Sequence, residues 1–365
     1  MSSAHMLEQI ARTVLYEGYI LWPYRRSAIK NQQRWTFGGV YPDSFASQSG
    51  GTDRSTVCAD VVVEAPVDVD DAIDAKIDVS LRFLHVVSRQ LVRVDDDGRR
   101  AVEELSVGRE RYLSWDETTE REIRLSCELE TSNEIVAPIA IPAGVREEML
   151  LDDGKLVGII VRSWRSIDGM MSVTVRGIPQ KATDRRNAFR VTITVRNDTH
   201  WHGASADRDD AIRQSLVSAH VAMESARAEF VSTIDPPAEY GAISKRLHNI
   251  GLWPALVGVA PDRRAMLAAP IILGDYPRIA PESPGDLFDG GEIDQLLILN
   301  VLALTDDEQA EMRDTDPRAR EILERCRGLS NEQLIRLHAT VRSERYLEPP
   351  PFTFRAEGEH GQHLG

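Results

Sequence analysis

Apolar residues recur at every second position from Ile77 to Val87, with Val79, Leu81 and Phe83 in phase, His85 in the same row, and polar residues at 78, 80 and 82 between them. A period of two is that of a strand with one covered face. Phe189–Arg196, FRVTITVR, alternates as cleanly and ends at Asn197–Asp198. Thr56–Glu64, TVCADVVVE, is a denser β-like run, and Arg121–Val136 carries Ile123, Leu125, Cys127 and Leu129 on one face. DDDG at 95–98 predicts a turn from which 100–107 pairs back. Lys155–Ser166 and Met170–Gly177 flank Ile167–Asp168–Gly169. An Asp-Gly pair suits positive φ, so it predicts a two-residue hairpin turn there. Gln214–Thr233 is rich in Ala and Ser, yet Leu216–Ala222 alternates; it reads as a short helix near 208–215 followed by a strand.

Residues 55–235 therefore hold seven or eight strands joined by short turns, without the helical crossovers of a parallel sheet. The predicted fold is α+β and mainly β: an antiparallel β-sandwich or barrel-like body with a small α/β and helical C-terminal part. Ahead of the body, residues 5–17 form a short helix with Leu7, Ile10, Val14 and Leu15 on one face, and 42–55 is a Ser/Gly-rich loop. Pro236–Pro237 marks a change of style. Beyond it come a helix over 238–249, short strands at 256–259 and 266–272, and helices near 306–313, 317–327 and 331–343. The first of those three opens on Thr305-x-x-Glu308, a capping box. The expected division is 1–54, 55–235, 236–345 and a flexible tail, 346–365.

Composition narrows the function. The chain has 365 residues, 42% hydrophobic and 28% charged, so it folds. Its net charge of −15 opposes a duplex-DNA or anionic-membrane surface, since phosphate binding rests on Lys and Arg. Cys58, Cys127 and Cys326 form no C-x-x-C pair and are too few for a four-cysteine iron–sulfur cluster. Sparse, odd cysteine usage predicts a reducing cytoplasm. Met1–Glu17 lacks the apolar core of a signal peptide, and no run approaches the 18 apolar residues of a membrane span. The expectation is no stoichiometric metal, no redox cofactor, no nucleic acid and no membrane insertion; the oligomeric state stays open.

Three segments could carry function. Residues 16–41 hold seven of the 22 aromatics together with Arg25, Arg26, Lys30 and Arg34 and the amides Asn31, Gln32 and Gln33. Aromatics beside arginine are the currency of interface hot spots. Tyr24, Arg25, Arg26, Lys30, Gln33, Arg34 and Trp35 are the predicted partner-binding residues; the competing reading has the aromatics plugging the core. The loop with Glu282, Asp286, Asp289, Glu292 and Asp294 lacks the EF-hand ligand rhythm and is a second candidate contact surface or a solvated turn. His200 and His202, two apart on an extended segment, are weak metal candidates, with His85 and His220 as conceivable further ligands. Nucleophile elbow, phosphate-loop, dinucleotide-binding and H-E-x-x-H motifs are absent.

Four stretches, LYEGYILWPYRRSAIKNQQRWTFGGVYP (15–42), FVSTIDPP (230–237), RLHNIGLWPALVG (246–258) and APIILGDYPRIAPESPGDLFDGGEIDQLLIL (269–299), resemble an uncharacterised family encoded in gene clusters of high-affinity, actinobacterial-type nickel-iron hydrogenases. The resemblance implies a place in such a system but no catalytic residue. Within it, a large subunit would need two C-x-x-C pairs, an electron-transferring subunit many cysteines, and a nucleotide-driven maturation factor a phosphate loop. An accessory role remains, in assembly, maturation or structure, acting by protein binding, with hydrogenase subunits or their maturation factors as partners. The alternatives are a metal-dependent enzyme around His200 and His202, or a carbohydrate- or small-ligand-binding sandwich.

Overall fold

The alternating runs become two antiparallel sheets packed face to face in the computed structural model, which describes residues 3–16, 25, 31, 35, 38–50, 53–66, 75–129, 132–179, 186–201, 207–278, 298 and 300–330. The strands are β1 (Thr56–Pro66), β2 (Lys76–Asp95), β3 (Gly98–Val102), β4 (Glu104–Val107), β5 (Glu110–Leu113), β6 (Trp115–Glu128), β7 (Ser132–Ile141) and β8 (Gly144–Asp152). They continue with β9 (Lys155–Trp164), β10 (Ile167–Ile178), β11 (Arg186–Asn197), β12 (Val217–Glu224), β13 (Glu229–Phe230), β14 (Trp253–Leu256) and β15 (Ala265–Ala269). One sheet runs β13-β1-β11-β10-β7; the other runs β14-β15-β12-β2-β9-β8, with β3 and β6 also on β2; β4 and β5 pair separately.

The core lies between the sheets. Phe189, Val191, Ile193 and Val195 of β11 and Val61 and Val63 of β1 meet Ile77, Val79, Leu81 and Phe83 of β2, all fully or nearly fully buried. Burying each such side chain contributes about 1.5–3 kcal/mol. β1 does not alternate because its other face is covered as well: Val62 packs with Val231 and Tyr240. Beside it the buried Asp60 carboxylate accepts from Arg190 Nε (2.9 Å), Thr192 Oγ1 (3.0 Å) and the His248 amide (2.9 Å).

β2 is the spine. Its first half pairs β6 through Lys76–Arg89 and β12 through Asp78–Leu84; its second half pairs β9 through Ser88–Arg93 and β3 through Leu91–Asp95. The second half, with β3, β9 and β8, forms an arm carrying its own small core.

The Asp168–Gly169 turn is not there. Both residues lie inside β10, paired with Ala140 and Ile139 of β7, and the chain crosses between sheets at Arg165–Ser166. Gly169 serves close strand approach instead: a Cβ there would run into the Arg196 carbonyl oxygen. The hairpin with the chemistry sought is Asp153–Gly154, joining β8 to β9 with φ of 47° and 80°, the two positive values of a type I′ turn. The turn at 95–98 forms as expected.

Arg121–Val136, read as one strand, is two strands in different sheets. The expected helix over 238–249 shrinks to one turn of 3₁₀ helix, 238–240, and Gly241–Ser244. Further on, Ile250 exchanges backbone hydrogen bonds with Cys58, and Asn249 accepts from the Asp60 amide, so this stretch completes the edge of β1 rather than a helix. β14 and β15 extend the large sheet beside β12.

Helix α1 (Ser3–Tyr16) lays Leu7, Ile10, Ala11 and Val14 on Ala222, Val257, Leu267 and Ala269, the outer side of that sheet. A short helix, α2 (Asp43–Gln48), interrupts the stretch read as loop. Two further short pieces are α3 (Arg208–Ala211) and α4 (Gly241–Ser244). α5 (Asp306–Thr315) opens on the predicted capping box, and α6 (Pro317–Arg327) follows with Asp316 capping its first turn. Residues 1–328 form one compact unit; the expected helix over 331–343 lies outside the described residues.

Candidate interaction surface

The arm has two faces with opposite fates. Register places Glu148, Ile160, Leu91 and Val102 in one row across β8, β9, β2 and β3. The β4–β5 hairpin closes this side: Leu105 joins Leu91, Leu150 and Ile160, with Val107 and Tyr112 against them. Gly158 makes the closure possible, since a Cβ would collide with the Leu105 methyl.

The other face carries the row Met149–Ile159–Val92–Ala101, with Val145 and Leu151 on the outermost strand. The row is exposed only at its ends: Met149 and Ala101 are open, Val92 is half-buried and Ile159 is buried. Met149 is 69% exposed, Val145 65% and Leu151 57%, in a chain whose other described large apolar side chains are mostly buried. Three exposed apolar side chains grouped on one strand mark a contact surface better than single exposed hydrophobics do. Among the described residues β8 is also the last strand of its sheet, with no strand paired on its outer edge.

The described members of the basic-aromatic segment point inward. Arg25 forms an ion pair with Glu308 at 2.8 Å, and Trp35 is 6% exposed. Tyr16 donates to Glu120 at 2.5 Å beneath the Arg318 guanidinium, and Tyr41 stacks near Phe45 while accepting from Arg208. Asn31 is buried and donates to the Arg25 carbonyl at 3.0 Å. Tyr24, Arg26, Lys30, Gln33 and Arg34 lie outside the described residues, as do the acids at 282, 286, 289, 292 and 294 and His202.

His200 is exposed beside the buried Trp201. His85 and His220 cannot share an ion: His220 pairs in register with Arg82, three residues from His85 on β2, so the two rings leave opposite faces of the sheet. Among the described residues no group of three or more His, Cys, Asp or Glu side chains could hold a metal, and no helix is long and apolar enough to cross a membrane.

A second feature lies beside α1. Register sets Glu122–Arg82–His220, Arg124–Ser80–Ala222 and Ser126–Asp78–Glu224 as three rungs across β6, β2 and β12. With Leu7, Glu8 and Ala11 of α1 most of them line a groove of 570 Å³. Its charges are largely paired: Arg82 meets Glu8 at 2.5 Å and Glu122 at 3.1 Å, and Arg124 meets Glu122 at 2.7 Å. Burial pushes the Glu122 carboxyl up, but hydrogen bonds from Arg124 and Ser80 and the Arg82 charge outweigh it and bring it to about 2. Burial, then the Asp78 charge, holds Glu224 above the ordinary carboxylate range. Beneath α1 the His220 ring is fully buried, its Nδ1 2.9 Å from the Ser218 carbonyl. Among the described residues its Nε2 has no partner. Burial brings its pKa to about 4.

Nothing in the alternation of β8 or β9 marks the arm face as open, because an apolar position looks the same whether a neighbour covers it or not. The chain matches no protein-family model, no curated protein and no solved structure.

Proposed function

We propose that the protein is an accessory partner of a nickel-iron hydrogenase system, working in the cytoplasm in assembly, maturation or structure, and that it acts by binding a hydrogenase subunit or maturation factor through the open face of the arm. The system rests on the resemblance of residues 15–42, 230–237, 246–258 and 269–299 to the family of those gene clusters. The mode of action rests on one observation: Val145, Met149 and Leu151 stand exposed together on β8, the rim of an arm with a well-packed small core. A rigid, pre-formed apolar surface loses little conformational entropy on docking. The basic-aromatic segment is a weaker contact candidate, since its described members are engaged within the chain.

The test is affinity purification from the native cell, with co-purifying proteins identified. Hydrogenase subunits or maturation factors are expected in the eluate. Val145→Glu with Met149→Glu, at two exposed positions, leaves melting within a few degrees and reduces that recovery by at least tenfold. Absence of hydrogenase proteins removes the assignment to this system; recovery unchanged by the double substitution removes the arm as the contact.

A further inference from the structure

On the closed side of the arm, a cavity of 360 Å³ opens between the β4–β5 hairpin, β8 and β9, and the helices α5 and α6. Arginine supplies six of its fourteen lining residues: Arg89, Arg109, Arg111, Arg162, Arg313 and Arg320. In the chain as a whole arginine is about one residue in ten. The six come from separate elements: β2, the β4–β5 turn, β5, β9, α5 and α6. Their convergence is therefore a product of tertiary structure.

Half of them are held by acids. Arg89 meets Glu117 at 3.4 Å, Arg111 meets Glu104 at 2.6 Å, and Arg162 meets Glu148 at 2.7 Å. The other half are not: among the described residues, Arg109, Arg313 and Arg320 have no carboxylate within ion-pair distance, Arg320 Nε donating to the Arg313 carbonyl instead at 3.1 Å. Of the five acids in the lining, Glu148 is taken by Arg162, Glu110 by the Tyr112 hydroxyl at 2.5 Å, and Asp316 by the first turn of α6. Asp314 and Glu324 remain, against three open guanidinium forks. Over the lining alone six guanidiniums face five carboxylates, a charge of +1 in a chain of net −15.

We propose that this cavity binds a multivalent phosphate-class oxyanion, either a free oligophosphate or the phosphoryl end of a small organic molecule. Guanidinium forks match phosphoryl oxygens two at a time, and three forks from three elements suit a ligand with several oxygens rather than one carboxylate. The volume lies at the small end of the range for ligand pockets, about 300–1,000 Å³. Ile160 and Pro317 provide an apolar wall, and the half-buried Asp314, beside Arg313, Arg111 and Arg320, competes with an anion there. The site is independent of the open face and of the hydrogenase reading.

The test is isothermal titration of the full-length protein with pyrophosphate, and separately with ADP, at constant ionic strength and without divalent metal. Saturable binding is expected. Arg109→Ala, on an exposed turn where folding is not at stake, weakens it about tenfold, as does Arg313→Ala, the loss of one charge-assisted contact each. Asp314→Asn tightens it, which damage to the fold would not do. Equal affinities for the two ligands assign recognition to the phosphates alone, and tighter ADP binding adds the organic body; both support the site. No saturable binding of either ligand, or binding that all three substitutions leave unchanged, overturns the proposal.

Discussion

Replacing His220 by Asn should flatten the acid limb of the stability curve. The ring is fully buried under α1, and its Nδ1 lies 2.9 Å from the Ser218 carbonyl, so that nitrogen carries the hydrogen and Nε2 is the one that must accept a proton. Burial opposes the charge first, the Ser218 carbonyl favours it, the Arg82 guanidinium opposes it, and Glu8 and Glu122 only partly relieve it. The pKa thus falls from the ordinary 6.5 to about 4. A base with a depressed folded pKa binds protons more readily when unfolded. Its contribution is therefore complete above pH 6.5 and is lost as the pH falls toward 4. Between pH 7 and pH 5 about one and a half units apply, at 1.36 kcal/mol per unit, so roughly 2 kcal/mol is lost. Asn retains a donor toward the Ser218 carbonyl but does not titrate, so the variant is less stable than the parent at pH 7 and the gap narrows by about 2 kcal/mol at pH 5. Urea unfolding of both proteins at half-unit steps measures it; His85, also pushed down to about 4, is present in both and cancels. Curves that stay parallel between pH 7 and pH 5 refute the reasoning.

Other outcomes follow from single contacts. Gly169→Ala forces a Cβ into the Arg196 carbonyl oxygen and should cost about 2–3 kcal/mol in denaturant unfolding, with the β10–β11 amides exchanging faster. Asp60→Ala strips the acceptor from Arg190, Thr192 and the His248 amide at once; about 2–4 kcal/mol is expected in the same assay, and a change under 1 kcal/mol would mean water replaces the carboxylate. Thr305→Ala removes the side-chain half of the capping box and should destabilise α5 by about 1 kcal/mol, seen as faster hydrogen exchange in residues 306–309. Gly158→Ala drives Leu105 off the arm, so limited proteolysis should cut within 104–113 while the main sandwich stays intact.

Local pattern was enough for the strands and helices with strong periodicity or caps. β11 and the first half of β2 follow from alternation alone, because a strand with one buried face must place apolar residues two apart, and α6 follows from its Asp-Pro start and Gly328 stop. Partnership was not written locally. Asp168–Gly169 has the residues of a hairpin turn, yet the glycine answers to the strand across from it, and Asp153–Gly154 makes the turn because β8 and β9 happen to be neighbours. Asn31 is polar and yet buried, its amide donating to the Arg25 carbonyl. The open face of the arm and the arginine cavity belong to the same class. Met149 and Leu150 differ by one position, and only the β4–β5 hairpin on one side of the sheet makes the second buried and leaves the first exposed. Arg109, Arg162, Arg313 and Arg320 are scattered over more than two hundred residues and meet only once the helices close on the arm. Hydrophobic period decides which side of an element faces inward; what lies opposite is a long-range property of the packed chain, and it is there that binding surfaces arise.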